Sequence, residues 1–345
     1  MCKRPVGVIF GGRSAEHEVS CESAAFVMKT LNRDKYDCLY IGITKEGQWK
    51  LFKGTAEDIR GDWTEKTEDF SINELKEKVG FVLPVLHGPY GEDGTLQGLL
   101  EILDIPYGGC GVLASALAMD KATFKELLRA EGLPVCRNLT FCREQIEEGG
   151  PFMEAAVEEA LGFPCFVKPS NMGSSVGISK VTCGEELLPA LGEAARYDSK
   201  VLVEEFIPGR EIEVALLGNY IIEASFPGEI VPAKDFYDYE AKYSCEWEPS
   251  KLIIPAALPE ETCRNLQKLA ISAFKAIGGE GFGRVDFFMR KSDGHIYINE
   301  VNTIPGLTER SMFPLLWQAQ GKTPEGIIER IIDLGYERYY AKNRR

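Results

Sequence analysis

The sequence predicts an α/β protein that opens with a parallel sheet, and three observations predict it. The apolar runs at residues 6–10 and 81–86 lead into the tight loops Gly11-Gly12 and His87-Gly88. A helical pattern follows the first run at residues 20–31, and a further strand pattern lies at 36–43. Alternation of strand, loop and helix implies parallel strands with helices on their faces. Ligands of such sheets sit at the loops beyond the carboxyl ends of the strands, which is where Gly11-Gly12 and His87-Gly88 fall.

Further along, Asp120 is a predicted N-cap for a helix that Gly132 and Pro134 stop. Residues 163–168 read as a strand, followed by the loop Pro169-Ser170-Asn171-Met172-Gly173-Ser174-Ser175-Val176-Gly177. Strands are expected at 201–206 and 211–217, with Pro208-Gly209 as the turn between them. Residues 232–255 are polar, aromatic and charged, the makeup of a long functional loop or lid. A helix is expected at 260–277 and a hairpin at 284–301. The expected domains are 1–118, 119–205 and 206–345.

At 345 residues, 44% hydrophobic and 27% charged, the composition is ordinary for a globular protein. A formal net charge of -14 disfavours nucleic acid and anionic membrane surfaces as partners. No apolar run reaches the roughly 18 residues of a membrane helix. The 10 cysteines are scattered, with no metal spacing, and read as reduced core residues of a cytoplasmic protein. No secretory leader pattern precedes the first strand. Lys342, Arg344 and Arg345 read as a frayed, solvated end.

The hairpin carries the sharpest chemistry. Its two arms alternate polar and apolar residues around Ser292-Asp293-Gly294. A three-residue loop closed by glycine would set Asp286 opposite Glu300 and Arg284 opposite Asn302. The two-residue strand period places all four on one face. Carboxylates facing across a ladder repel, so a cation is expected between them. Mg²⁺ takes oxygen ligands, commonly one or two carboxylates plus phosphate. Asp286, Glu300 and Asn302 offer only such ligands, and Arg284 can steady a developing anion. The alternative is a solvated face with incidental charges, and a two-residue loop would offset the pairing.

Lys168 stands at the base of the Gly/Ser loop, where small residues let backbone N–H groups approach an anion. Spacing excludes a Walker A loop and a dinucleotide fingerprint. A mobile connection is the bland alternative. Lys121, at a helix start, opposes the helix dipole, which favours a functional role slightly. Glu204-Glu205-Phe206-Ile207 can form a hinge for a purine, its edge read by backbone groups and a carboxylate, with Glu211 near the ribose. An acidic edge strand is the alternative. Glu18 reads otherwise as a first-turn acid and His87 as a satisfied buried histidine.

These pieces, in this order, resemble the ATP-grasp superfamily, and within it the D-alanine–D-alanine ligases. The resemblance rests on Phe10-Gly11-Gly12, Glu16-His17-Glu18-Val19-Ser20, the run from His87 through Gly91-Glu92-Asp93-Gly94 to Gly98, Met119-Asp120-Lys121, Lys168-Pro169-Ser170, the lid stretch from Phe236 to Tyr243, and Asn299-Glu300-Val301-Asn302-Thr303-Ile304-Pro305-Gly306. It covers essentially the whole chain. It implies an ATP-grasp fold behind an N-terminal open parallel α/β domain. The implied reaction phosphorylates the carboxylate of one D-alanine with ATP. The amine of a second then attacks the acyl phosphate, for peptidoglycan precursor synthesis.

The resemblance also implies roles. Lys121, Lys168, Ser174 and Lys242 meet ATP phosphates, and Glu204, Glu205, Ile207 and Glu211 hold adenosine. Asp286, Glu300 and Asn302 carry two Mg²⁺ ions, for which Mn²⁺ can substitute. Arg284 and the Gly306 N–H stabilise the oxyanion. Glu18 holds the first ammonium, with His87 nearby and Ser174 and Tyr243 linking Glu18 to the lid. Ser311 and Met312 meet the second carboxylate. A homodimer is implied as well. Tyr243 disfavours a lactate-forming relative, whereas D-serine as second substrate stays open, since one hydroxyl is a small difference for a pocket. A non-catalytic ATP-binding regulator is a remoter alternative. Asn171-Met172 departs from the charged residues many relatives carry there.

Overall fold

The computed structural model describes residues 3–173, 176–232 and 250–343. Its strands form three sheets. The first comprises β1 (Arg4–Gly11), β2 (Tyr36–Ile43), β3 (Trp49–Phe52), β4 (Thr67–Asp69) and β5 (Phe81–Pro84), in the order β4-β3-β2-β1-β5. β1 is central and pairs parallel with β2 and β5. From Val6 onward it is wholly buried, as befits a parallel strand covered on both faces. The sheet is mixed rather than purely parallel, because β3 and β4 return antiparallel. The five residues between β2 and β3 are too few for a crossover, which needs a dozen or more. The expected helix begins one turn early, spanning His17–Thr30. Ser20 fastens it to the end of β1 and to the residue after β5: Gly11 N–H donates to its Oγ (2.8 Å), and its hydroxyl donates to the Val85 carbonyl (2.6 Å).

The second sheet comprises β6 (Asn138–Cys142), β7 (Cys165–Pro169), β8 (Ser179–Val181) and β9 (Lys200–Glu205), ordered β6-β9-β7-β8. Cys165, Val167, Val201 and Val203 face helices Pro151–Ala160 and Leu187–Ala195 in one core. Alternation therefore sends Phe166, Lys168, Leu202 and Glu204 to the opposite face. Phe166 is flanked by Lys180 on β8 and Glu204 on β9.

The third sheet is antiparallel: β10 (Gly209–Gly218), β11 (Ile222–Ala224), β12 (Gly228–Val231), β13 (Lys251–Ile253), β14 (Gly281–Arg290) and β15 (Ile296–Asn302). Its path is β13-β12-β10-β14-β15, with β11 on β10. Helix Glu260–Ala276 buries Leu266, Ala270, Ala273 and Phe274 against Ile212, Val214 and Val285. On the other side Phe313, Trp317, Ile328 and Ile331 share a core with Phe81, Leu83 and Phe282, so the first and third sheets are packed together. The expected boundaries fall between the strands of successive sheets, although Ala114 and Ala118, ahead of the first boundary, belong to the third sheet's core. Lys342 is not frayed: it ends helix Pro324–Lys342 and pairs with Glu101 at 2.5 Å. Arg344 and Arg345 lie outside the described residues, as does most of the expected lid, residues 233–249.

The metal hairpin pairs as expected at Arg284–Asn302 and Asp286–Glu300, but by a different route. The turn is one residue longer than the loop expected, with Arg290 N–H donating to His295 O (2.9 Å) and Met289 opposite Ile296. Left alone, that turn would misalign the carboxylates. A β-bulge restores them: Phe287 faces Ile298 while Asp286 faces Glu300, leaving Asn299 as the extra residue.

Phe274 is fully buried at the centre of the third sheet's core. Truncation of Phe274 to Ala is expected to cost about 3–5 kcal/mol, read as a lowered midpoint in urea unfolding.

Candidate active site

A cleft of about 1050 Å³ separates the polar face of the second sheet from β10, β14 and β15, and the loops after β1 and β5 close one end. Its charges fall into two buried groups.

At one end Glu204 stands between two lysines. Lys125 Nζ lies 3.0 Å from one carboxylate oxygen, and Lys168 Nζ pairs closely with the other. Despite burial, the lysines hold the Glu204 carboxyl down to about 2. Lys125 also donates to the Asn299 carbonyl (3.2 Å). The Glu205 carboxylate is taken by Arg137, whose Nε and Nη2 donate to it at 2.9 and 2.7 Å. Both acids of the expected purine hinge therefore stand in ion pairs in this structure. Phe166 and Phe206 line this end with ring centroids 5.8 Å apart, and Lys180 Nζ sits 4.7 Å over the Phe206 ring. Ile207 and Phe288 complete the apolar wall, and Glu211 lines the cleft from β10, opposite Phe288.

At the other end Arg284 donates to both oxygens of Asp286 (2.7 and 2.7 Å), and its Nε lies 2.9 Å from Glu213. Asn302 Nδ2 donates to Asp286 (3.0 Å). Burial pushes the Asp286 carboxyl up against the pull of Arg284, and Glu300 across the ladder adds to the rise. Lys121 Nζ lies 3.9 Å from Glu300 and donates to Met172 O in the Gly/Ser loop (2.7 Å). Two carboxylates and an amide on adjoining strands suit a hard divalent ion that keeps water or phosphate as further ligands. Asn171 anchors the same loop, its N–H and Nδ2 donating to Asp198 at 2.8 and 2.9 Å, which gives that departure a structural reason.

The first sheet supplies the remaining wall. His87 Nδ1 donates to the Ile304 carbonyl (2.9 Å), so Nε2 accepts from Ser23 Oγ (2.9 Å). Burial drops His87 to about 4, and it is a neutral imidazole near pH 7. Glu92 accepts from Gly88 N–H (2.8 Å) and Ile304 N–H (3.0 Å). Burial first, then the nearby Glu16, pushes its carboxyl up to about 8.

Glu18 does not reach the cleft. It points outward, 68% of its side chain exposed, and pairs with Lys45 at 2.5 Å. The acid that lines the cleft is Glu16, four residues before the buried Ser20 and therefore on the same helical face. A Cβ added at Gly88 or at Gly173 would each come within 2.3 Å of Glu16 Oε2, so this carboxylate touches both loops. Gly88 itself holds φ +72, a conformation that suits glycine. Gly306, Ser311 and Met312 line the cleft where helix Met312–Ala319 begins, and Ser311 Oγ accepts from Thr308 N–H (3.2 Å). Ser174, Lys242 and Tyr243 lie outside the described residues.

Comparison with known proteins fits this geometry. Residues 5–110 match the family model described as D-ala D-ala ligase N-terminus, and residues 127–333 match D-ala D-ala ligase C-terminus. This chain belongs to the D-alanine–D-alanine ligase family. It is 47% identical to the D-alanine–D-alanine ligase of Acetivibrio thermocellus, over 98% of this chain and 97% of that protein. It is equally 47% identical to that of Halothermothrix orenii, over 98% and 99%. Among solved structures, the Coxiella burnetii D-alanine–D-alanine ligase superposes with TM-score 0.87 at 34% identity, covering 99% of this chain and 96% of that one. The VanG D-Ala:D-Ser ligase of Enterococcus faecalis also gives 0.87, at 37% identity and 97% and 100% coverage. The fold is accordingly the ATP-grasp α/β architecture.

Within this ligase family member, the sequence reading gave no role to Glu16, Glu92 and Glu213, which line the cleft, or to Lys125, fully buried behind Glu204. Glu16 and Glu92 stand in runs that carry the resemblance. Glu16, Ser20 and Ser23 also recur at helical spacing on one face, as do Lys121 and Lys125. Glu213 carried no signal, because its partner Arg284 is distant in sequence.

His87 makes stability pH-dependent. Its folded value, about 4, lies below the usual 6.5, so the unfolded chain binds the proton first on acidification. The stabilisation is complete above pH 6.5 and is lost as pH falls toward 4. Glu92 runs the other way: its raised value favours the folded state below pH 4.5, and this is lost as pH rises through 8. Between pH 6.5 and 4 the wild type is expected to lose on the order of 3 kcal/mol more stability than His87→Gln, measured by urea unfolding at each pH.

Proposed function

We propose that this enzyme joins two D-alanines at the expense of ATP. The γ-phosphate passes to the carboxylate of the first D-alanine. The amine of the second then attacks the acyl phosphate, releasing phosphate and D-alanyl-D-alanine for peptidoglycan precursors. The observation that carries this reading is a single cleft holding Lys121 and Lys168 opposite Asp286, Glu300 and Asn302, in a chain matched along its length by D-alanine–D-alanine ligases. Phosphoryl transfer asks the protein mainly for positioning and charge stabilisation, and these groups supply both.

Lys121 and Lys168 hold the phosphates, with Ser174 and Lys242 added from the loop and lid. Glu204, Glu205, Ile207 and Glu211, which all line the cleft, hold adenosine. Asp286, Glu300 and Asn302 carry Mg²⁺, which when bound neutralises phosphate charge. Arg284 and the Gly306 N–H face the oxyanion. Glu16, in place of Glu18, holds the first ammonium, and the start of helix Met312–Ala319 with Ser311 receives the second carboxylate, where the helix dipole favours an anion. The domains are 1–118, 119–205 and 206–345. A cytoplasmic homodimer accords with the family. Among the described residues no helix is long and apolar enough to cross a membrane.

D-Alanine as second substrate is favoured because the D-alanine–D-alanine ligases of Acetivibrio thermocellus and Halothermothrix orenii, at 47% identity, match more closely in sequence than the D-Ala:D-Ser ligase at 37%. ADP release with D-alanine alone, and product masses with D-alanine plus D-serine, test this; a dominant mixed D-serine product overturns it. Glu300→Gln is expected to abolish ADP release while thermal unfolding stays cooperative, and full turnover in that variant refutes the metal assignment. Glu16→Gln is expected to lower kcat/KM for the first D-alanine roughly 10–100-fold, the loss typical of one charge-assisted bond, with Glu18→Gln near wild type.

A further inference from the structure

Asp286 has two claims on the same oxygens. The Arg284 guanidinium donates to both of them, and Asn302 Nδ2 takes a third of the roughly four lone-pair positions a carboxylate offers. A divalent ion in the cleft needs those oxygens too, and like charge sets it against the guanidinium that holds them. Arg284 must therefore give up Asp286 as the ion is bound. A largely buried guanidinium released without another partner is costly, so a second carboxylate has to be at hand.

Glu213 stands where that carboxylate is needed. β10 sets it opposite Asp286, and β15 sets Glu300 on the far side of Asp286, so three carboxylates run in a row across adjacent strands. Arg284 Nε lies 2.7 Å from Asp286 Oδ1 and 2.9 Å from Glu213 Oε2. The single Nε proton is given to Asp286, and toward Glu213 the contact is one of charge. A small turn of the guanidinium redirects that proton to Glu213. The other flank of Glu213 is apolar: β12 sets Gly228 opposite it, and the space a side chain would take there is filled by Met312 and Leu316. With its side chain only 7% exposed, Glu213 is shielded from the water that would otherwise weaken its pull on Arg284.

We propose that Glu213 is a positioning residue that frees Asp286 for the metal: it takes over Arg284 when Asp286 turns to the ion, and it keeps the guanidinium aimed at the reacting carboxyl. This rests on the metal reading of the cleft and adds to it the group that makes Asp286 available. Without Glu213, Arg284 stays on Asp286, and ion and guanidinium compete for one carboxylate.

Mn²⁺ binding to the full chain, with ADP and without D-alanine, tests the proposal, followed by the electron paramagnetic resonance signal of the free ion. Glu213→Gln keeps the side-chain volume and is expected to raise the dissociation constant roughly tenfold, the loss typical when a group that orients a metal ligand is removed. Arg284→Gln is expected to bind at least as tightly as wild type. Adding Glu213→Gln to it is expected to change the constant less than about twofold, because nothing then holds Asp286 back. A Glu213 that bound the ion itself, or acted on it only through space, would weaken binding equally in both backgrounds, and that result overturns the proposal. Wild-type binding in Glu213→Gln overturns it too. Should either variant fail to fold, Glu213→Asp decides: one methylene shorter, it keeps the charge but falls short of Nε. Binding weakened about threefold or more supports the exchange, and wild-type binding refutes it. Asp286→Asn separates the two readings. Binding that survives it overturns the metal assignment and this proposal together, whereas binding lost there but unchanged in Glu213→Gln refutes the Glu213 assignment alone.

Discussion

Ile304 is gripped by both of its backbone groups: its N–H donates to Glu92 and its carbonyl accepts from His87. Both partners come from the loop after β5, and Ser23, on the first helix, joins His87 Nε2 to the neighbouring Leu307 N–H. Ile304 lies two residues beyond Asn302. The grip therefore fixes the first sheet relative to the strand that carries Glu300 and Asn302. Buried polar groups must be satisfied, so a slip of one residue would strand a carboxyl, an imidazole and two backbone groups together. The tie requires a neutral His87, and burial provides it.

The two charged groups of the cleft follow one rule. A buried charge survives when an opposite charge and further hydrogen bonds replace its water. One group has two lysines about Glu204, the other two carboxylates about Arg284. Each leaves one charge in excess, positive at Lys125 and Lys168, negative at Glu213 and Asp286, with Glu300 adjoining. The excess positive charge suits anionic phosphates and the excess negative charge suits a divalent cation. The cleft is thus pre-set for ligand charge, and each charge of these two groups has an opposite partner.

Much of this was legible in the sequence where short-range periodicity decides the outcome. Period two placed Arg284, Asp286, Glu300 and Asn302 on one face, and the cap at Asp120 started its helix, with Thr123 N–H donating to Asp120 (2.9 Å). The hairpin register was right for the wrong reason, because a longer turn and a bulge offset one another and neither has a distinct sequence signal. Glu18 was assigned from the resemblance, in a stretch that carries two acids; in the structure Glu16 lines the cleft while Glu18 points outward to Lys45. The antiparallel β3 and the pairing of Glu204 with Lys125 depend on partners far along the chain, where periodicity has nothing to say.

The two specificities of such a cleft rest on unequal physics. A base edge is told apart by where donors and acceptors lie, and a mismatch leaves buried polar groups unpaired, which a rigid site punishes heavily. D-Serine differs from D-alanine by one added hydroxyl, and a pocket that makes no hydrogen bond to that position rejects it only weakly. On the proposed reading, the nucleotide end is constrained by a few fixed groups, while the end nearest Ser311 and Met312 can change its amino acid through small changes in side chains. That asymmetry accords with the likeness of this fold to a D-alanine–D-alanine ligase and to a D-Ala:D-Ser ligase alike.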